Sequence, residues 1–125
     1  MRLLLDTHAL IWWLTSSKSL DPQTLRALED RSNRVYVSVA SFWEMAIKAA
    51  TGRLSIPPRI MVQLSASGVT ILPIETPHAW RVATLPPLHK DPFDRLLVAQ
   101  AMHEGLTLVT RDPWVAAYPI VTLRA

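Results

Sequence analysis

Short apolar runs, each followed by a stretch of helical periodicity, constrain this chain more than any other feature. Strand-like runs cover Arg2 to Leu5, Val35 to Val39, Val69 to Ile74 and Thr107 to Thr110, with Ile120 to Leu123 as a last candidate. Runs this short and this apolar suit strands buried on both faces. Between them lie helix signals. Ala9 to Leu14 is dense in large apolar residues, and Ser16 to Ser19 reads as a loop. Asp21-Pro22 pairs an N-cap with proline at the first helical position, opening a helix with Leu25 and Leu28 on one face and an end near Ser32-Asn33. Ser38 or Ser41 caps the next helix, whose Phe42, Met45, Ala46, Ala49 and Ala50 recur at threes and fours before Gly52. Ile56-Pro57-Pro58 breaks the chain ahead of a helix over Arg59 to Ala66 that Gly68 ends. Thr76-Pro77 repeats the cap-plus-proline signature, Leu85 to Lys90 is irregular, and Asp91-Pro92 opens a helix stopped by Gly105. Asp112-Pro113 starts a short final turn. Strand–helix alternation of this kind predicts one α/β domain spanning residues 1–125. Its expected form is a mainly parallel sheet of four to five strands with helices on both faces.

In an open α/β sheet the C-terminal ends of the strands share one edge, and ligands bind there. Four acids fall where apolar runs end or crossover helices begin. Asp6 follows Leu3-Leu4-Leu5, Glu44 lies shortly past Val35-Tyr36-Val37, Asp94 opens the apolar stretch Arg95 to His103, and Asp112 follows Leu106 to Thr110. Carboxylates gathered on one edge repel one another unless a cation or a proton sits between them. Oxygen-rich sites suit magnesium or manganese, which points to a metal-dependent enzyme acting on phosphate esters. Each acid also has a bland reading. Asp21, Asp91 and Asp112 precede proline as N-caps do, Asp94 stands three residues after Asp91, Glu44 can pair with Lys48 one turn on, and Asp6 can cap the helix beginning at Thr7 or His8. Asp21, with no strand before it, and Asp91, after a loop, are best read as caps. The joint placement of the other four favours a site.

Composition narrows the class. Half of the 125 residues are apolar and 18% are charged, which fits a sheet covered on both faces and leaves apolar surface for a partner. The absence of cysteine removes disulfides, thiolate zinc sites and cysteine catalysis. No stretch approaches the roughly 18 apolar residues of a membrane span, and Met1-Arg2 runs directly into a strand rather than into a signal-peptide apolar core. A soluble protein of the cytoplasm is expected. Net charge is +3, and setting four of the ten acids aside on a cation leaves six against thirteen Lys and Arg, a balance of +7. A surface of that sign attracts a polyanion. Competing chemistries lack their signatures. Three glycines supply neither a phosphate-cradling loop nor a dinucleotide fingerprint, and there is no G-x-S-x-G elbow. The four histidines have no metal-binding spacing; His8 stands close to Asp6, and His103 suits a helix C-terminus.

Leu4-Leu5-Asp6-Thr7-His8, the helix containing Glu44, Asp94-Arg95-Leu96-Leu97-Val98-Ala99-Gln100-Ala101 and Val109-Thr110-Arg111-Asp112 together resemble a PIN-domain nuclease. The likeness is greatest to VapC-type toxins of bacterial and archaeal toxin–antitoxin pairs, and it covers nearly the whole chain. The resemblance implies a Rossmann-like three-layer α/β/α sandwich of the PIN kind, with four acids holding one or two Mg²⁺ or Mn²⁺ ions and cleaving single-stranded RNA. Asp6, Glu44, Asp94 and Asp112 match the family's four acids in order. Asp6 and Asp94 are expected nearest the metal, with Glu44 and Asp112 completing the site or orienting water. Thr7 and Thr110 match hydroxyl positions beside the first and last acids, and Asp91 is an additional acid in a His-Lys-Asp-Pro-Phe-Asp run. Lys48, Lys90, Arg95 and Arg111 are candidates for phosphate contact, each balanced by the reading of solvated surface charge. An antitoxin protein and a homodimer are implied partners. Two other readings stay open: a PIN-like nuclease of RNA processing without a toxin role, and a non-catalytic RNA- or protein-binding module whose acids are only caps. A phosphatase is disfavoured, because Asp6-Thr7-His8 lacks a second Asp two residues after the first. Trp12 and Trp13 are adjacent on one helix and cannot both face one core, and Trp43 stands next to Glu44.

Overall fold

The computed structural model describes residues 1–125. The first strand, β1 (Arg2–Leu5), pairs in parallel with β2 (Arg34–Ser38) on one side and with β4 (Thr107–Thr110) on the other. Beyond β2 lies β3 (Thr70–Leu72) and beyond β4 lies β5 (Thr122–Arg124), giving a five-stranded, wholly parallel sheet in the order β3-β2-β1-β4-β5. The chain winds outward from β1 through β2 to β3, then returns to the other side of β1. The winding direction therefore reverses between β1 and β4, and in sheets of this kind a binding crevice opens there.

Alternate strand residues feed two separate cores, which is why the runs read as continuously apolar. Leu4, Tyr36 and Leu108 point into one core with Leu97, Val98 and Ala101 of α6 (Pro92–Glu104) and Val115 of α7 (Pro113–Ala116). Leu3, Leu5, Val35, Val37 and Val109 point into the other with Ala9 and Leu10 of α1 (Thr7–Thr15), Leu28 of α2 (Pro22–Glu29) and Leu64 of α4 (Ile60–Ser67). The helix α3 (Val39–Ala50) serves both, sending Ala40 to the first core and Met45 to the second. It therefore stands at the seam between layers. The remaining helix, α5 (Thr76–Arg81), packs beside α6 and leads into a 3-10 turn at Val82–Thr84. No helix is long and apolar enough to cross a membrane.

The predicted architecture holds, with shifts that have local causes. The loop at Ser17–Ser19 is a 3-10 turn. The helix α2 ends at Glu29, because the Asp30 carboxylate turns to accept from the backbone and hydroxyl of Ser32. Ser38 takes the N-cap of α3 by accepting from Ala40 N–H, so Val39 is helical and Ser41 lies inside the helix. Along α3, Ala46, Ala49 and Ala50 are exposed while Ser41 and Glu44 are buried. The helix turns its polar residues inward, against the predicted apolar stripe. Glu75, not Thr76, occupies the cap position of α5, and its backbone N–H donates to His78 Nδ1 at 3.0 Å. The last strand begins at Thr122, two residues later than the apolar run. Trp12 and Trp13 share the burial, each half-buried against the second core.

Candidate active site

Asp6 emerges from the end of β1 with its side chain 5% exposed, and its Oδ1 accepts from Ala9 N–H at 2.8 Å. It is therefore the N-cap of α1 as well as a carboxylate at the winding reversal. Its own N–H donates to Val109 O at 3.0 Å, extending the β1–β4 ladder by one residue. Burial raises its pKa, while the Ala9 N–H, the Thr110 hydroxyl and the charge of His8 work against that rise. Thr110 also accepts from Asp112 N–H at 3.1 Å, so one hydroxyl connects the first and last acids. Thr7 Oγ1 donates to Ser41 Oγ at 3.0 Å, tying the end of β1 to α3 one turn before Glu44.

Glu44 faces this junction and is 3% exposed. Its Oε2 pairs with Lys48 Nζ at 2.7 Å, and its Oε1 is buried without a partner. A buried carboxylate oxygen with no donor is costly, on the order of 1–3 kcal/mol or more. It is the kind of atom a cation would satisfy.

Asp94 is the third residue of α6 and Asp91 is its N-cap, accepting from the N–H groups of Phe93 and Asp94. The Asp94 carboxyl is pushed up to about 7, first by burial and then by the charges of Asp91, Asp6 and Glu44, with His89 opposing. Asp94 therefore feels two of the other three predicted acids directly. The fourth is joined through His89, whose Nε2 lies 3.1 Å from Asp94 Oδ2 and 3.0 Å from Asp112 Oδ2. Asp112 Oδ1 caps α7 by accepting from Trp114 N–H at 2.8 Å. Asp6 and Asp112 are thus helix caps, Asp94 is a first-turn residue and Glu44 lies inside α3, and all four belong to one cluster. The bland and the functional readings are compatible.

His89 is the residue that sequence reasoning missed. Its Nδ1 accepts from Asp91 N–H at 3.1 Å, so the neutral ring carries its proton on Nε2, between the two carboxylates. This tautomer, assigned from its partners, makes His89 a clamp on Asp94 and Asp112 rather than a ligand through Nε2. The His-x-Asp bond is local and was readable; the partner 23 residues away was not.

The four candidate phosphate contacts separate. Lys48 is committed to Glu44. Arg95 turns away from the acids, donating to the carbonyls of Val82 and Pro86 at 3.1 Å and to the Tyr118 hydroxyl at 3.0 Å. Because Tyr118 also accepts from His89 N–H, Arg95 fixes the loop that carries the clamp. Arg111 bonds the Ser19 and Ala125 carbonyls and lies over Trp12, 4.4 Å from its ring centre. Lys90 is exposed beside the cluster. His8 is exposed near Asp6, and His103 stacks edge-on against buried His78, 5.4 Å away.

The donor set suits a divalent ion. It is all oxygen, it concentrates negative charge, and it contains one orphaned buried oxygen. A second concavity of about 980 Å³ opens between Asp30–Arg34 and Gly68, at the strand starts, and contains none of these acids.

Comparison with known proteins gives a consistent picture. The PIN domain matches residues 3–119. The chain is 33% identical to Ribonuclease VapC22 of Mycobacterium tuberculosis over 112 residues, which is 87% of this chain and 85% of that protein. Among solved structures, the VapBC2 complex of Rickettsia felis bound to a DNA fragment from its promoter aligns with a TM-score of 0.75 at 16% identity, covering 99% of this chain and 98% of the other. DNA-bound VapBC of Salmonella typhimurium aligns at 0.70 and 16%, with the same coverage. FitAcB of Neisseria gonorrhoeae aligns at 0.58 and 21%, covering 98% and 96%. At these identities the solved structures speak to the fold alone.

Proposed function

The chain belongs to the PIN-domain family, and from that premise we propose that it is a metal-dependent endoribonuclease. It cleaves single-stranded RNA as the toxin of a toxin–antitoxin pair. The observation that carries the reading is the orphaned Glu44 Oε1, buried beside Asp6 and Asp94, whose carboxyls are both raised by crowding and burial. Two carboxyls whose ionised form is disfavoured, beside a buried carboxylate oxygen without a donor, make a site that positive charge would satisfy. The similarity to a ribonuclease supports the RNA substrate.

Mg²⁺ or Mn²⁺ is the ion we assign, with Asp6 and Asp94 as its principal holders and Glu44 and Asp112 completing the site. Bound there, such an ion lowers the pKa of an attacking water and offsets charge on the phosphate. The chain's own residues do the remaining work. Asp6 and Asp112 are held in place by the helix N-termini they cap, so their carboxylates are oriented before any ligand arrives. The His89 Nε2 proton keeps Asp94 and Asp112 aligned on each other. Lys48 neutralises one oxygen of Glu44 and leaves the other free. Asp94, whose carboxyl is pushed up to about 7 in the metal-free protein, would give up its proton on holding such an ion.

An antitoxin protein and a second copy of the chain are the partners we infer, in the cytoplasm. The fold shared with toxin–antitoxin complexes supports the antitoxin. So do exposed apolar side chains on α3 and α4, namely Trp43, Ile47, Met61 and Val62. The test is incubation of a mixed RNA pool with purified protein in Mg²⁺, in Mn²⁺ and in EDTA, beside Asp6→Asn/Asp94→Asn. Discrete cleavage that needs metal and disappears in the double variant is expected. Absence of cleavage by folded protein freed of any co-purified inhibitor would move the assignment to a binding module.

A further inference from the structure

We propose that the cleft between Trp114 and the Pro87–Lys90 loop is a subsite for one unpaired nucleobase next to the phosphate being cut. The proposal rests on the nuclease reading and adds to it how the strand is held. The cleft has a volume of about 430 Å³ and is lined by Pro87, Leu88, His89, Lys90 and Trp114. That volume lies within the range of sites for small organic groups. One wall is His89, whose Nε2 touches Asp94 and Asp112, so the cleft opens directly off the acid cluster.

Trp114 is 62% exposed, a large apolar area to leave in water. Its position is not accidental, because its N–H is bound by the site acid Asp112 at 2.8 Å. An indole held at a nuclease site with its ring in solvent is a stacking platform, since every base has a π-face to offer. Pro87 and Leu88 supply an apolar opposite wall, and exposed Lys90 supplies a cation for an adjoining phosphate.

Within the lining, the polar atoms of His89 are already spent. His89 Nδ1 accepts from Asp91 N–H, His89 N–H donates to the Tyr118 hydroxyl, and Nε2 faces the acids. Stacking does not depend on which base is presented, so the platform selects for an unpaired base more than for its identity. A duplex, whose bases are stacked on one another, is refused.

The test is fluorescence anisotropy with a fluorescein-labelled single-stranded RNA twelve-mer. Ca²⁺ serves as an oxygen-seeking ion of looser geometry, and intact RNA is verified on a gel afterwards. Trp114→Ala is expected to weaken Kd roughly 5- to 100-fold, the loss typical of one stacked base. Trp114→Phe should stay within a few-fold of wild type. Trp80→Ala removes a tryptophan that is 73% exposed on α5, the helix whose His78 pairs with Glu104 at the far end of α6 from Asp94, and should change nothing. In a series of twelve-mers each lacking one base, one position should reproduce the loss, and Trp114→Ala should add nothing further to it. Equal binding by wild type and Trp114→Ala overturns the subsite while leaving the nuclease reading intact. So does an equal loss with Trp114→Phe, or a loss that no missing base reproduces. Failure of the wild-type protein to bind or cut RNA in any metal overturns the nuclease reading and the subsite with it.

Discussion

Asp94→Asn should make the metal-free protein more stable while removing its activity. In the folded chain the Asp94 carboxyl titrates at about 7 instead of 3.8, because burial and the charges of Asp91, Asp6 and Glu44 disfavour its ionised form. One pKa unit corresponds to about 1.4 kcal/mol, so keeping the carboxylate charged at pH 8 costs at most about 4 kcal/mol. The side chain is still 20% open to water, and screening there reduces the figure to about 1–2 kcal/mol. For a domain of this size that is about 3–8 °C in Tm. The sign follows from the direction of the shift. A carboxyl with a raised folded pKa contributes stability fully below its unfolded value of 3.8 and loses it as pH rises through about 7. Asn carries no charge at any pH. The variant should therefore match wild type near pH 3.5, pull ahead between pH 4 and 7, and hold a constant lead at pH 8. Thermal unfolding in EDTA across this range reads the effect, and saturating Mg²⁺ should close the gap by stabilising wild type alone. A variant less stable than wild type at pH 8, or a difference independent of pH, would refute the reasoning.

Other perturbations separate capping from chemistry. Asp6→Asn keeps a side-chain acceptor for Ala9 N–H and should fold with near-native Tm, yet lose cleavage by two or more orders of magnitude; Asp6→Ala should in addition lose about 1 kcal/mol, measured by urea unfolding. Lys48→Met leaves a buried Glu44 carboxylate with neither oxygen satisfied and should cost about 1–3 kcal/mol in EDTA, largely recovered on adding Mn²⁺. His89→Ala removes the proton donor between Asp94 and Asp112, so Asp94 holds its own proton to higher pH, and half-maximal cleavage should require more Mg²⁺; an unchanged Mg²⁺ titration would remove His89 from the site.

The parts of this molecule that were legible in its sequence are those set by neighbours along the chain. The strands announce themselves because residues such as Leu3, Leu4 and Leu5 are buried on alternate faces of one sheet. Caps at Asp21, Ser38, Asp91 and Asp112 follow from short-range bonds to the next backbone N–H groups. The four acids were singled out because parallel topology brings strand ends together, a global inference from local runs. What escaped depends on long-range pairs. His89 meets Asp112 across 23 residues, and buried His78 meets Glu104 across 26. The apolar stripe assigned to α3 holds at Phe42 and Met45 and fails at Ala46, Ala49 and Ala50 for a related reason. That helix packs Ser41 and Glu44 inward against Thr7 and the acid cluster, so the cluster takes the place of core on part of its buried face. Arg95 and Arg111 looked like phosphate contacts, but carbonyl groups of distant loops hold both of them.

The central claim, that Asp6, Glu44, Asp94 and Asp112 share a divalent cation, is tested most directly by titrating Mn²⁺ into metal-free protein. The loss of the free-ion electron paramagnetic resonance signal is followed for wild type, Asp6→Asn/Asp94→Asn and Asp30→Asn. Asp30 is an exposed acid whose carboxylate bonds only Ser32, away from the cluster. Saturable binding by wild type and Asp30→Asn, absent in the double variant, is the predicted result. Equal binding by all three proteins, or none by a folded wild type, would contradict it.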